Sequence, residues 1–103
     1  MKNRLEALLD FYKKDSKDSF TIYGIALEYL SLKDYAKAEI YFQILLETDP
    51  SYVPGYMQFA QLKEKLNQIN EAKSIYRKGI EKAKATGDRK FAIEMEEFLN
   101  DLE

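Results

Sequence analysis

Catalysis and metal binding need side chains that ionise, coordinate or attack, and this chain offers a narrow set. It has no histidine and no cysteine. Ser-His-Asp triads, thiolate zinc sites, Glu-x-x-His di-metal helices and cysteine nucleophiles therefore cannot be built. Carboxylates remain. Glu94 and Glu97 share one side of a helical segment, and paired carboxylates do acid–base work when their environments push their pKa values apart. Both fall off the apolar stripe of that segment, so they read as a solvated side. Asp15-Ser16-Lys17-Asp18 gathers oxygens in a loop. It lacks the alternating ligands and turn glycine of a calcium loop and carries a lysine in its middle, so it reads as a helix cap. The four glycines form no phosphate loop. No catalysis, no cofactor and no metal are expected.

Cations gather in one place. Lys73, Arg77, Lys78, Lys82 and Lys84 make one segment basic, the composition of a phosphate-contacting face. Glu71 and Glu81 dilute it, and helical repeats that read RNA take about one base per repeat, so a solvated face is the simpler reading. Charged residues make up 33% of the chain and leave a net charge of −2, which provides no field selecting nucleic acid or anionic membrane. Met1-Lys2-Asn3-Arg4 is basic enough to open a signal peptide, but Glu6 and Asp10 interrupt the apolar stretch that should follow. No run approaches the length of a membrane helix. A soluble, cytoplasmic protein with no nucleic-acid or membrane partner is expected.

These side chains must be positioned by helices, because the apolar residues recur with helical period. Leu5, Leu8, Leu9 and Tyr12 predict a helix over 2–14. Asp18 or Ser19 caps the next, over 20–32, with Ile22, Ile25, Ala26 and Tyr29 on one stripe. Asp34 caps a helix over 35–48 that stops at Asp49-Pro50, since proline biases its predecessor away from helical geometry. Pro54 fits the first turn of a fourth helix carrying Tyr56, Phe59, Ala60 and Leu62. Asn67 suits a left-handed turn, and Asn70 caps a helix over 71–85 with Ala72, Ile75, Tyr76 and Ile80. Thr86-Gly87-Asp88 ends it and starts the last helix, over 89–102, with Phe91, Met95, Phe98, Leu99 and Leu102 on its stripe.

A shift of 34 residues lays this pattern on itself. Ile22 meets Tyr56, Ile25 meets Phe59, Ala26 meets Ala60, Ala38 meets Ala72, and Phe42 meets Tyr76. A fixed period of this length marks stacked helix–turn–helix units. Recurrent small residues flanked by aromatics, with Pro50 as terminator, resemble the tetratricopeptide repeat family. The resemblance implies an all-α helical-hairpin repeat stacked in a right-handed superhelix: two full repeats, over 19–52 and 53–86, in one domain spanning 1–103. A helix over 1–18 covers one end and another over 87–103 covers the other, because a repeat cannot bury its own apolar face. The second repeat departs from the pattern: Lys63 replaces an aromatic and Gly79 a small helix former. A mid-helix glycine costs about 1 kcal/mol relative to alanine, which implies either close packing or a looser repeat. Lys33 and Asn67 stand at the turn glycine. A register of 35 residues, unlike one of 34, keeps the last helix apolar where it meets the second repeat, aligning Phe91 with Tyr56 and Met95 with Ala60, so one extra residue is expected in the turn before it.

Function in this family lies on the inner side of the first helix of each repeat. The matching residues are Phe20, Tyr23, Leu27 and Leu30, then Met57, Gln61 and Glu64. A helix apolar on more than one side must bury the excess against something. The resemblance therefore implies a scaffold that takes a protein or peptide partner in a concave groove. The second reading is a homo-oligomer made through the same apolar surface, and cover by the N-terminal helix is a third. Members that grip acidic chaperone tails place cations along the inner face. Here the matching positions are Tyr23, Leu27, Met57, Gln58, Asp88 and Ala92, which disfavours that partner.

Overall fold

The computed structural model describes residues 1–103 as six α-helices with no strand. They are α1 (Arg4–Lys14), α2 (Ser19–Ser31), α3 (Tyr35–Thr48), α4 (Val53–Lys65), α5 (Ile69–Ala85) and α6 (Arg89–Leu102). By their contacts they fall into two compact units, Met1–Asp49 and Pro50–Glu103.

In the first unit each helix start is fixed by an acceptor side chain. Asn3 accepts the Glu6 N–H at 2.9 Å, so α1 opens at Arg4 and not at residue 2. Asp18 accepts the Thr21 N–H at 3.2 Å and also the Thr21 hydroxyl, and Asp34 accepts the Lys37 N–H at 3.2 Å. Each bond satisfies a donor that the helix itself leaves unpaired. The Ser19 hydroxyl donates to Asp49 Oδ2 at 2.8 Å, which ties the start of α2 to the end of α3. Ile22, Ile25, Ala26, Ala38, Phe42 and Leu45 are sealed from solvent. The Tyr29 ring stacks on Tyr41 at 5.6 Å, and Tyr12 of α1 meets Tyr41 edge-on at 5.8 Å.

In the second unit Tyr56, Phe59, Ala60 and Leu62 of α4 and Ala72, Tyr76 and Ile80 of α5 are buried as expected. The cap expected at Asn70 is not there. Helix α5 begins at Ile69, with Gln68 at the cap position and no side-chain bond capping the helix, and Asn70 lies inside the first turn. The Gln68 N–H is already donated to the Lys63 carbonyl at 2.8 Å. The chain thus leaves the turn ready to enter a helix, two residues before Asn70 could start one. Gly79 marks close packing, not a looser repeat. A Cβ there would stand 2.6 Å from Tyr56 Cβ and 2.7 Å from Met95 Sδ.

Three turns are built alike. Lys33 and Asn67 both have φ of 60° and Gly87 has φ of 77°. In each, the next N–H returns to a carbonyl five residues back: Asp34 to Tyr29 at 2.9 Å, Gln68 to Lys63, and Asp88 to Ala83 at 2.8 Å. Left-handed backbone costs a residue with a Cβ about 1–2 kcal/mol, and asparagine tolerates it better than lysine. Glycine loses more chain entropy on folding, which offsets about half of that relief. Lys33→Gly is therefore expected to raise stability by about 0.5–1 kcal/mol in urea unfolding, with Asn67→Gly giving less.

The register of α6 also differs from expectation. Asp88 accepts the Phe91 N–H at 3.4 Å, the same bond that Asp18 makes to Thr21. Tyr52 stands at the cap position of α4, 34 residues after Asp18, but Asp88 follows Tyr52 by 36. Two residues are inserted, not one. The cause is the length of α5, 17 residues against 14 for α3, with a connection one residue shorter after it. Met95 is buried and Phe98 stacks on Tyr76 at 5.9 Å, so α6 packs on the second repeat, with Phe91 half-buried.

Candidate interaction surface

Helix α2 presents three faces. Ile22, Ile25, Ala26 and Tyr29 form the buried one. Beside it, Gly24 and Glu28 meet α1: a Cβ on Gly24 would lie 3.2 Å from Leu8, and Arg4 Nε pairs with Glu28 at 2.7 Å. Phe20, Tyr23, Leu27 and Leu30 occupy the third, at the i, i+3, i+7, i+10 spacing of one helical face. Phe20 is 69% exposed, and Tyr23, Leu27 and Leu30 are half-buried. Gly24 and Glu28, where α2 meets Leu8 and Arg4 of α1, thus fall on a different face from these four.

On α4 the matching residues Met57, Gln61 and Glu64 are half-buried. Glu64 is already engaged, because its Oε2 accepts the Tyr76 hydroxyl. Burial, then the hydrogen bond and charge of Glu64, holds the Tyr76 phenol well above its ordinary pKa, so it stays a donor. Glu64 therefore belongs partly to the packing of α4 on α5. Sequence reasoning missed Ile93. Counted from the caps, Ile93 matches Tyr23 and Met57, and it is 50% exposed. The signal would have been the extra turn of α5, which no residue in the turn announces. The corrected register also moves the positions matched to Asp88 and Ala92 onto Lys90 and Glu94. Ala92 is in fact buried and Asp88 is a cap.

Charges elsewhere are largely committed. Lys63, expected as a misfit, is only 7% exposed: its ammonium lies 2.8 Å from Glu71, 2.9 Å from Gln68 Oε1 and 5.5 Å from the Phe59 ring centre. At the same positions of the first repeat the roles are reversed, with Lys37 5.5 Å from the Tyr29 ring centre. Of the basic run on α5, Arg77 pairs with Glu103 at 2.8 Å, Lys73 lies 3.9 Å from the same residue, and Lys84 pairs with Glu96 at 3.4 Å. Three of the five cations of that run thus have an acidic partner within their own unit. No acidic cluster is arranged to hold a metal ion, and no helix is long and apolar enough to cross a membrane.

Paired helices of this length, closed by alanines at equivalent positions, define a helical-repeat protein. The tetratricopeptide repeat family matches residues 21–52 and 53–85, and the chain belongs to that family, whose fold serves protein–protein interaction. Among solved structures, a tetratricopeptide repeat domain protein from Salinibacter ruber is 35% identical, with a TM-score of 0.82 over 86% of this chain and 90% of that one. The TPR2B domain of yeast Sti1 in its pHsp70 complex has a TM-score of 0.88 at 16% identity, covering 95% of this chain and 78% of that one. PcrH in complex with the chaperone binding region of PopD also reaches 0.88 at 16% identity, covering 95% and 74%. Those two share the fold alone. No curated protein matches the chain.

Proposed function

We propose that this protein is an interaction scaffold that takes an apolar peptide or helix of a partner protein along its inner groove face. Phe20, Tyr23, Leu27 and Leu30 are the main contacts, and Met57, Gln61 and Glu64 stand at the corresponding positions of the second repeat. The observation that carries this reading is the exposure of Phe20 beside three half-buried apolar residues, on a face of α2 apart from its buried stripe and from Gly24 and Glu28, which meet α1. Contiguous apolar surface of this kind is a docking feature. Its chemistry argues against an acidic tail as the ligand. In the corrected register the only cation among those positions is Lys90, and Glu94 stands one turn away.

The test is a displayed random-peptide library selected against the intact protein, repeated with Tyr23→Ser/Leu27→Ser. Apolar or amphipathic sequences should be enriched on the wild type and lost on the variant, with unfolding weakened by less than the 2–5 kcal/mol typical of core truncation. Selection of acidic tails, or severe destabilisation of the variant, would remove the proposed surface.

A further inference from the structure

We infer that the outer stripe of α3 pairs with the same stripe of a second copy, antiparallel, in a weak symmetric dimer. Ala36, Ile40 and Ile44 follow one another at i, i+4, i+8 along α3, on the side opposite the buried Ala38, Phe42 and Leu45. Ile40 is 51% exposed, Ala36 is exposed and Ile44 is half-buried. The repeat shows that this side has no apolar duty in the fold. One period later the same positions of α5 hold Asn70, Ser74 and Lys78, and one period earlier the positions are Lys2, Glu6 and Asp10. The apolar side chains are thus particular to α3. This helix stands between α2 and α4 in the chain, and Ile40 stays exposed with both in place.

The charges at the two ends of the stripe select its occupant. Lys33 precedes α3 and Glu47 lies in its last turn. Both are exposed, and neither side chain has an ion pair or hydrogen bond. A cation at the start of a helix and an anion at its end oppose the helix dipole, so nothing within α3 calls for this order. An antiparallel neighbour answers it when its own helix also carries the cation first and the anion last. That is the order of α3 itself. Lys33 and Glu47 lie equally far from Ile40 in the chain, as do Ala36 and Ile44. With Ile40 of both copies on the twofold axis, Ile44 of one falls against Ala36 of the other, large against small. Glu47 of each then meets Lys33 of the other. One patch serves both copies, which makes the contact isologous. A few helical turns bury far less than a permanent dimer needs, so the association is weak.

This stripe is separate from the α2 face proposed for partner binding, and its test is independent of that reading. Mass in solution is measured by light scattering from about 10 μM to about 1 mM, the range of weak association. The wild type should rise from 12.1 kDa towards twice that value with concentration. Ile40→Lys sets two ammonium groups on the axis and should stay a monomer. Its urea midpoint should not fall, because residue 40 is exposed. Lys33→Glu and Glu47→Lys each place like charges together at both ends, and each should weaken association about tenfold. The double variant Lys33→Glu/Glu47→Lys should recover it, and so should an equal mixture of the two single variants. Neither recovery follows from a role in folding. Tyr23→Ser/Leu27→Ser should associate as the wild type does. A wild type that stays at 12.1 kDa throughout would leave the stripe to a different protein or to solvent, and would overturn the proposal. So would association that survives Ile40→Lys but not Tyr23→Ser/Leu27→Ser, or charge reversals that no second change rescues.

Discussion

Gly79→Ala should destabilise the protein by about 1–3 kcal/mol, although alanine is the better helix former by about 1 kcal/mol. The two effects oppose, and geometry decides between them. A methyl group at residue 79 would lie 2.6 Å from Tyr56 Cβ and 2.7 Å from Met95 Sδ. The Met95 sulfur sits partway along a flexible side chain, with three rotatable bonds to absorb a displacement. Tyr56 Cβ is one bond from the backbone and can yield only if α4 itself moves. Tyr56 is in turn held by its hydroxyl, which donates to the Pro50 carbonyl at 2.7 Å. Relief therefore requires α4 and α5 to separate, and that loosens the buried Ala60 and Ala72 as well. Gly24→Ala provides the control: its nearest neighbour would be the end of Leu8, at 3.2 Å, which can rotate away. Urea unfolding of both variants measures the contrast, with the midpoint falling clearly for Gly79→Ala and little for Gly24→Ala. A stabilised Gly79→Ala would mean that helix propensity, not packing, governs the site.

That contrast shows what the sequence could and could not reveal. Helices α2 and α3 were legible almost to the residue, because Asp18, Asp34 and Asp49-Pro50 carry their own stopping chemistry. Burial of Ala26, Ala38, Ala60 and Ala72 followed from their recurrence at one offset together with the family resemblance. Gly79 was ambiguous because its meaning depends on Tyr56 and Met95, which approach it from two other helices. Lys63 looked like an error for the same reason. Its partner Glu71 lies across the turn on the next helix, and the exchange of Tyr29 and Lys37 for Lys63 and Glu71 is visible only once both hairpins are folded. The start of α5 was misplaced because asparagine is a good cap and the backbone route through Asn67 makes a cap unnecessary. The inner face was legible as a list of positions. Which of them are committed elsewhere, as Glu64 is to Tyr76, and which were misnumbered, as Ile93 was by the extra turn of α5, depended on contacts between helices. Local propensity does not encode those.

Met95→Ala should cost about 2–5 kcal/mol, the range for truncating a fully buried methionine. Met95 is sealed from solvent and fills the notch left by Gly79, and α6 contributes only one other buried side chain, Ala92. Loss of the thioether leaves a cavity between α5 and α6 that a neighbouring glycine cannot fill. The double variant Gly79→Ala/Met95→Ala separates the two clashes at residue 79. The added methyl group then grows into the space that Met95 vacates, so the sulfur contact at 2.7 Å no longer exists. Only the approach to Tyr56 Cβ remains. The double variant should therefore be more stable than the sum of the single effects predicts, by about 0.5–3 kcal/mol, the size of coupling found between touching residues. Full additivity would show that residue 79 is limited by Tyr56 alone and that Met95 adjusts freely. In that case α6 rests on the second repeat through the stacking of Phe98 on Tyr76 more than through Met95, and Phe98→Ala would become the more damaging change.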